Sequence, residues 1–179
     1  MPDRIEFRID RTETPLGDLS IVADHQGSLR AVTWTNFEDD LFAWLDSRYG
    51  KNTVKLEPAV NPHGLTSALK AYFGGRLTAI DGLPATARGT EFQRAVWQVM
   101  REIPCGSTIS YGELARRIGR PKAVRAVGLA CGANPIGIVI PCHRVVGANG
   151  ALTGFGGGLD RKRWLLGHEG WIKASKTPD

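Results

Sequence analysis

Cysteine is scarce in this chain, and its placement excludes more than its number does. The 179 residues include three, Cys105, Cys131 and Cys142, all in the second half and none in a Cys-x-x-Cys pair. An odd count without paired spacing argues against a disulfide framework and for a reducing, cytoplasmic setting. The first half has no cysteine, so a thiolate zinc site is excluded there. Long apolar runs and a signal-like start are also missing, which points away from membranes and export. Acidic residues thin out after residue 90. Residues 1–90 carry 10 basic and 12 acidic side chains, net −2, whereas residues 91–179 carry 13 and 6, net +7. Any contact with a polyanion therefore belongs to the second half.

The length suits one large or two small domains with enough core to need no staples. Residues 5–9, 19–23 and 29–34 are short, β-leaning segments separated by turn residues, and predict an antiparallel meander. Residues 37–49 carry Leu41, Phe42 and Leu45 at helical spacing, and residues 64–73 form a second amphipathic helix. No catalytic constellation is visible here, and His25 and His63 read as surface residues. Residues 77–89, with Gly82, Pro84 and Gly89, read as a connector, which sets domains at 1–85 and 86–179.

In the second half, Thr90-x-x-Gln93 resembles a capping box ahead of a stripe of Phe92, Val96, Val99, Met100 and Ile103. Ser110-Tyr-Gly-Glu113 opens a helix through Ile118, Gly119-Arg120-Pro121 makes a tight turn, and residues 122–131 form the next helix. Five basic residues between Arg116 and Arg125 accompany this pair, which reads as a helix-turn-helix or, equally, as two packed helices with a solvated basic face. The second helix is mostly Ala, Val, Gly and Leu around Arg125. Such a helix suits close approach to a minor groove better than base readout in a major groove. Residues 147–158 are a Gly-rich loop, and residues 159–168 a closing helix with Trp164 and Leu165 inward.

The one unusual combination is Ile138-Val-Ile-Pro-Cys142-His143-Arg144-Val-Val146. Its β-branched arms favour a buried strand, which Pro141 must stop or bend. A thiol at such a break is either an inert small hydrophobe or a nucleophile facing a pocket. His143 favours the second reading, since a thiol titrating near 8.5 needs a base or a positive field at neutral pH. A histidine base needs an acceptor to fix its tautomer, and Glu169 is the best placed by type.

Pro-Cys-His-Arg-Val, preceded by Asn134-Pro135 and followed by Gly156-Gly-Gly158 and Trp164-Leu-Leu-Gly-His-Glu169-Gly, resembles the O6-alkylguanine-DNA alkyltransferase family. The likeness runs from about residue 90 to residue 171, with weaker traces at residues 14–19 and 82–86 that suggest the single-chain bacterial form. It implies an α+β fold, with an N-terminal antiparallel sheet and helices of ribonuclease H-like type. A mainly helical C-terminal domain with a winged-helix-like helix-turn-helix would follow.

The implied activity is DNA repair: a single, self-inactivating transfer of the alkyl group from O6-methylguanine, and O4-methylthymine, to the protein's own cysteine. The implied partner is double-stranded DNA bound through the minor groove with the base flipped out, by a monomer without cofactor or metal. By matching position, Cys142 is the nucleophile, His143 the base acting through a water, Glu169 its acceptor, Tyr111 a donor toward guanine N3, and Asn134 a tie to the cysteine segment. Arg125 enters the stack, and Arg120, Lys122 and Ala126 face DNA. Val145, Phe155, Gly156 and Gly157 frame the base, and Arg144 belongs to a buried ion pair. Phe155 stands where many relatives have Tyr, and Gly156 where Ser or Ala is common, which leaves room for bulky adducts. A helix-turn-helix regulator without transfer chemistry is the alternative, and would leave Cys142 and His143 accidental.

Overall fold

The structure, a computed structural model, describes residues 3–171. The chain divides into two compact units, Met1–Thr90 with Pro135–Val139, and Glu91–Asn134 with Ile140–Asp179.

In the first unit, β1 (Ile5–Thr12), β2 (Leu19–Ala23) and β3 (Leu29–Trp34) form the expected antiparallel meander, in register through Ile9↔Val22 and Ile21↔Val32. The sheet as a whole corrects the all-antiparallel expectation. Helix α1 (Glu38–Tyr49) carries the chain to the opposite edge, where β4 (Val54–Pro58) pairs parallel to β1 through Phe7↔Leu56 in the order β3-β2-β1-β4. A helical crossover is what allows a later strand to run parallel. Phe7 and Ile9 share one face of β1 and cluster with Val22, Ala31, Leu41 and Leu45. Phe42, expected in the α1 stripe, is 40% exposed. Every residue of β2 is buried, so both its faces are covered, and α2 (Leu65–Phe73) buries Leu65, Leu69 and Tyr72.

The Ile138–Ile140 arm is buried but is not a strand. Val32 bonds Pro135 and Gly137 on either side of Ile136 in a single parallel bridge, after which the chain turns with Ile138 at φ 69°. Burial explains the β-branched residues there, and the sheet contact rather than local propensity sets their backbone.

In the second unit, α3 (Glu91–Arg101) buries Val96, Trp97 and Met100, with the Trp97 indole donating to the Ala130 carbonyl at 2.8 Å. Ser110 caps α4 (Tyr111–Arg117), its hydroxyl accepting from the Glu113 amide at 3.0 Å. Gly119, at φ 73°, reverses the chain. A turn closed by the Ala123 amide on the Arg120 carbonyl delays α5 to Val124–Gly132. The two-residue strands β5 (Ile109–Ser110) and β6 (Val145–Val146) pair in parallel. Helix α6 (Leu159–His168) turns Lys162, Leu165 and Leu166 inward. Trp164, expected there, is half-buried and stacks on His168 at 4.6 Å. The i, i+3, i+4 spacing of the three buried side chains accounts for the difference. Among the described residues, no helix is long and apolar enough to cross a membrane.

Candidate functional site

Pro141 turns the chain into a short 3-10 helix, Cys142–Arg144, immediately before β6. The turn separates three consecutive side chains. Cys142 is half-buried and lines a cleft of about 430 Å³, while His143 and Arg144 point into the protein and are buried. Tyr111 of α4, the α5 residues Val124, Gly128, Cys131 and Gly132, and the loop from Thr153 to Gly156 complete the cleft wall.

Behind the sulfur, one carboxylate gathers two partners. Glu169 Oε1 lies 2.8 Å from His143 Nε2, and Arg144 donates to both carboxylate oxygens at 2.9 and 2.8 Å. The Arg144 guanidinium also donates to the Ile103 carbonyl at 2.8 Å. Burial pushes the Glu169 carboxyl up, but the hydrogen bonds of His143 and Arg144 and the positive charge of Arg144 outweigh it and hold the group well below the usual carboxylate range. His143 is pushed down by burial, against the Glu169 hydrogen bond, so it stays neutral. With its Nε2 proton on the carboxylate, Nδ1 is the ring's basic atom. That atom is buried and has no hydrogen-bond partner among the described residues.

At the sulfur, burial raises the thiol's pKa despite the open side of the cleft. A hydrogen bond from the Asn134 side chain and the charge of Lys162 act in the opposite direction. Asn134 also donates to the Ile140 carbonyl at 2.7 Å, tying the end of α5 to the cysteine segment.

Lys162 is a site residue that the sequence reading missed. Fully buried, it donates to the carbonyls of Val145 at 2.6 Å and Thr153 at 3.1 Å, and lies 5.8 Å from the centre of the Tyr111 ring. Desolvation lowers its pKa, while the charges of Cys142 and Cys131 would raise it. The signal available was a lysine three and four positions before Leu165 and Leu166, on the apolar face of α6. Cys131 was counted but not assigned to the cleft. Its thiol contacts the Met100 sulfur at 3.6 Å and is pushed up to about 12, chiefly by burial.

Of the residues expected to frame a base, Phe155 and Gly156 line the cleft. Val145 is fully buried with its carbonyl on Lys162, and Gly157 is not part of the cleft wall. Tyr111 donates its hydroxyl to the Thr153 carbonyl at 3.1 Å. On the adjoining surface, Glu113 pairs with Arg116 at 2.7 Å and Arg117 at 3.1 Å. Arg120, Lys122, Arg125 and Ala126 are exposed, and the three cations make no ion pair among the described residues. The assembly offers a partly exposed sulfur with a neutral imidazole and a buried cation nearby, next to unneutralised positive charge. That is equipment for attack on an electrophile carried by a polyanion.

Residues 91–171 match the family described as 6-O-methylguanine DNA methyltransferase, DNA binding domain. A methylated-DNA–protein-cysteine methyltransferase of Shigella flexneri is 50% identical over 163 residues, covering 91% of this chain and 95% of the relative. One from Haemophilus influenzae is 42% identical over 153 residues, covering 86% and 80%. The crystal structure of Mycobacterium tuberculosis OGT in complex with DNA superposes with a TM-score of 0.75 at 41% identity, covering 92% of each chain. The chain therefore belongs to the methylated-DNA–protein-cysteine methyltransferase family.

Proposed function

We propose that this chain repairs DNA by moving the methyl group of O6-methylguanine onto its own Cys142. The observation that carries this reading is the thiol on the cleft wall, with the His143–Glu169 pair behind it and the basic helix pair beside it. Cys142 Sγ attacks the methyl carbon as the bond from carbon to O6 breaks. The electron pair goes to the purine, and the thiol proton leaves through one water to His143 Nδ1. Tyr111, exchanging its bond to Thr153 for one to guanine N3, supplies a proton to the leaving base. Glu169 keeps the Nε2 proton in place, so that Nδ1 receives.

A thioether is not hydrolysed by water, so each chain reacts once. DNA is held by Arg120, Lys122 and Ala126 against the minor groove, with Arg125 in the space the base vacates. Extrusion of a base costs a few kcal/mol, less for a damaged one. Phe155 and Gly156, on the cleft wall, frame the base, and O4-methylthymine is a second substrate. The two units are of ribonuclease H-like and winged-helix-like type, and the protein acts as a cytoplasmic monomer. A helix-turn-helix regulator is not favoured, because it gives the Cys142, His143 and Glu169 arrangement no work.

Incubation with duplex DNA carrying labelled O6-methylguanine, followed by peptide mass measurement, tests the reading. One methyl on the Cys142 peptide, with no further uptake from fresh DNA, is expected. Label elsewhere, or several turnovers per chain, would overturn it.

A further inference from the structure

Behind His143, the loop of residues 102–108 that joins α3 to β5 touches both members of the buried ion pair. The Ile103 carbonyl accepts from Arg144 at 2.8 Å. Three positions on, Gly106 faces the backbone of Glu169: a Cβ built on it would lie 3.0 Å from the Glu169 carbonyl oxygen, inside the 3.4–4 Å of ordinary van der Waals contact. Gly106 also sits at φ 82°, where a side chain is strained. The Ser107 amide closes the loop on the Pro104 carbonyl at 3.0 Å.

On its other side the Glu169 backbone is fixed by the end of α6. Its amide donates to the Leu165 carbonyl at 3.0 Å, and beyond it the Gly170 and Trp171 amides return to the carbonyls of Gly167 and Leu166. The residue that orients His143 is therefore clasped between two backbone segments, with no space for a Cβ between them. A side chain at position 106 forces one segment to give by a few tenths of an ångström. If the helix end gives, Glu169 shifts; if the loop gives, Ile103 shifts and carries Arg144 with it. Either shift reaches the 2.8 Å contact between Glu169 Oε1 and His143 Nε2.

We infer that Gly106 is a positioning residue for the reaction. By leaving room for the Glu169 carbonyl, it sets the carboxylate that keeps the proton of His143 on Nε2 and leaves Nδ1 to receive. This deepens the methyl-transfer reading and rests on it. With the contact loosened, part of the protein would hold the other tautomer, whose Nδ1 carries a proton and accepts none.

The test compares the natural chain with Gly106→Ala, Gly106→Asn and Gly82→Ala. Asparagine adopts left-handed angles more readily than alanine yet still carries a Cβ, so it separates the contact from the backbone strain. Gly82, in the first unit, has φ 69° and open space where a Cβ would stand, so Gly82→Ala carries the strain without the contact. Two quantities are measured: single-turnover methyl transfer at a series of duplex concentrations, and the ring nitrogen signals of His143 by NMR, with His25, His63 and His168 as internal references. Both Gly106 variants should lower the plateau rate about five- to fiftyfold, part of the roughly 10²–10⁴ that a general base contributes. The half-saturating duplex concentration should not change, and the His143 signals should move toward the form protonated on Nδ1. Gly82→Ala should lower the unfolding midpoint and alter neither quantity.

Gly106 variants that fold and keep the natural plateau rate would overturn the inference, as would slower transfer with the His143 signals unmoved. So would a fall in rate of the same size in Gly82→Ala, since backbone strain alone would then suffice. Should Gly106→Ala fail to fold, Gly106→Asn carries the comparison. If neither folds while Gly82→Ala does, the glycine serves the fold and the inference goes. A natural chain that transfers no methyl group sinks the underlying reading, and the NMR signals still decide whether Gly106 sets the imidazole.

Discussion

Replacing Glu169 by Gln keeps the volume of the side chain and removes its charge. The carboxylate accepts from His143 Nε2 and from two nitrogens of Arg144 at 2.8 to 2.9 Å, and both Glu169 and Arg144 are 5% exposed. An amide has one oxygen for these donors and turns its own N–H groups toward the others. The buried guanidinium loses its counter-charge, a change that costs about 3–5 kcal/mol. For a chain of this size each kcal/mol moves the midpoint by roughly 2–4 °C, so thermal unfolding should come about 6–20 °C lower. Replacing Arg144 by Met in the same chain removes the stranded cation, and the double variant should recover at least about half of the loss.

Acid titration gives the same experiment a second readout. Glu169 is held below its ordinary 4.5, so its contribution is complete above that value and is lost as pH falls below it. His143 is held below its ordinary 6.5, so the unfolded chain takes up its proton first and stability begins to fall below about 6.5. Glu169→Gln should flatten the part of the curve below 4.5. Urea unfolding at several pH values measures both effects. A loss under about 1 kcal/mol, or a double variant no steadier than the single one, would refute the account of a shared buried carboxylate.

Three further outcomes are expected. Cys142→Ala should abolish methyl uptake and retain duplex binding, compared by labelled transfer and by a mobility shift. Lys162→Met removes a buried cation and its bonds to the carbonyls of Val145 and Thr153, so the Cys142 thiol should titrate higher than in the natural chain, as read from the pH dependence of alkylation by iodoacetamide. Gly156→Ser places a side chain where a Cβ has open space, so folding should be unaffected while transfer of benzyl slows relative to methyl; equal ratios in the two chains would remove the proposed role of Gly156 in admitting bulky adducts.

The meander, the helices and the break at Pro141 were legible because each follows from local periodicity or a turn residue. Ser110 was readable as a cap for the same reason. Strand β4 carried the alternation Val54-Lys-Leu56-Glu before Pro58, yet it is short, and nothing local says that it runs parallel to β1. The Ile138–Ile140 run looked like a strand because β-branched residues favour both strands and burial. Only the contact with β3 decides between the two. Cys142, His143 and Glu169 could be nominated by residue type, but that Arg144 shares the Glu169 carboxylate depends on folding across more than twenty residues. Lys162 was hidden by its type: a lysine on a helix is usually solvated, and its burial shows only when the carbonyls it serves are in place.

Glu169 follows His143 by 26 positions, and Lys162 also comes after the sulfur in the chain. A ribosome therefore delivers the cysteine before the groups that equip it. A nascent chain arrested anywhere between residues 142 and 161 holds a plain thiol with neither the carboxylate nor the lysine. The contacts that Glu169 makes with His143, and Lys162 with the cleft carbonyls, thus form only late in synthesis.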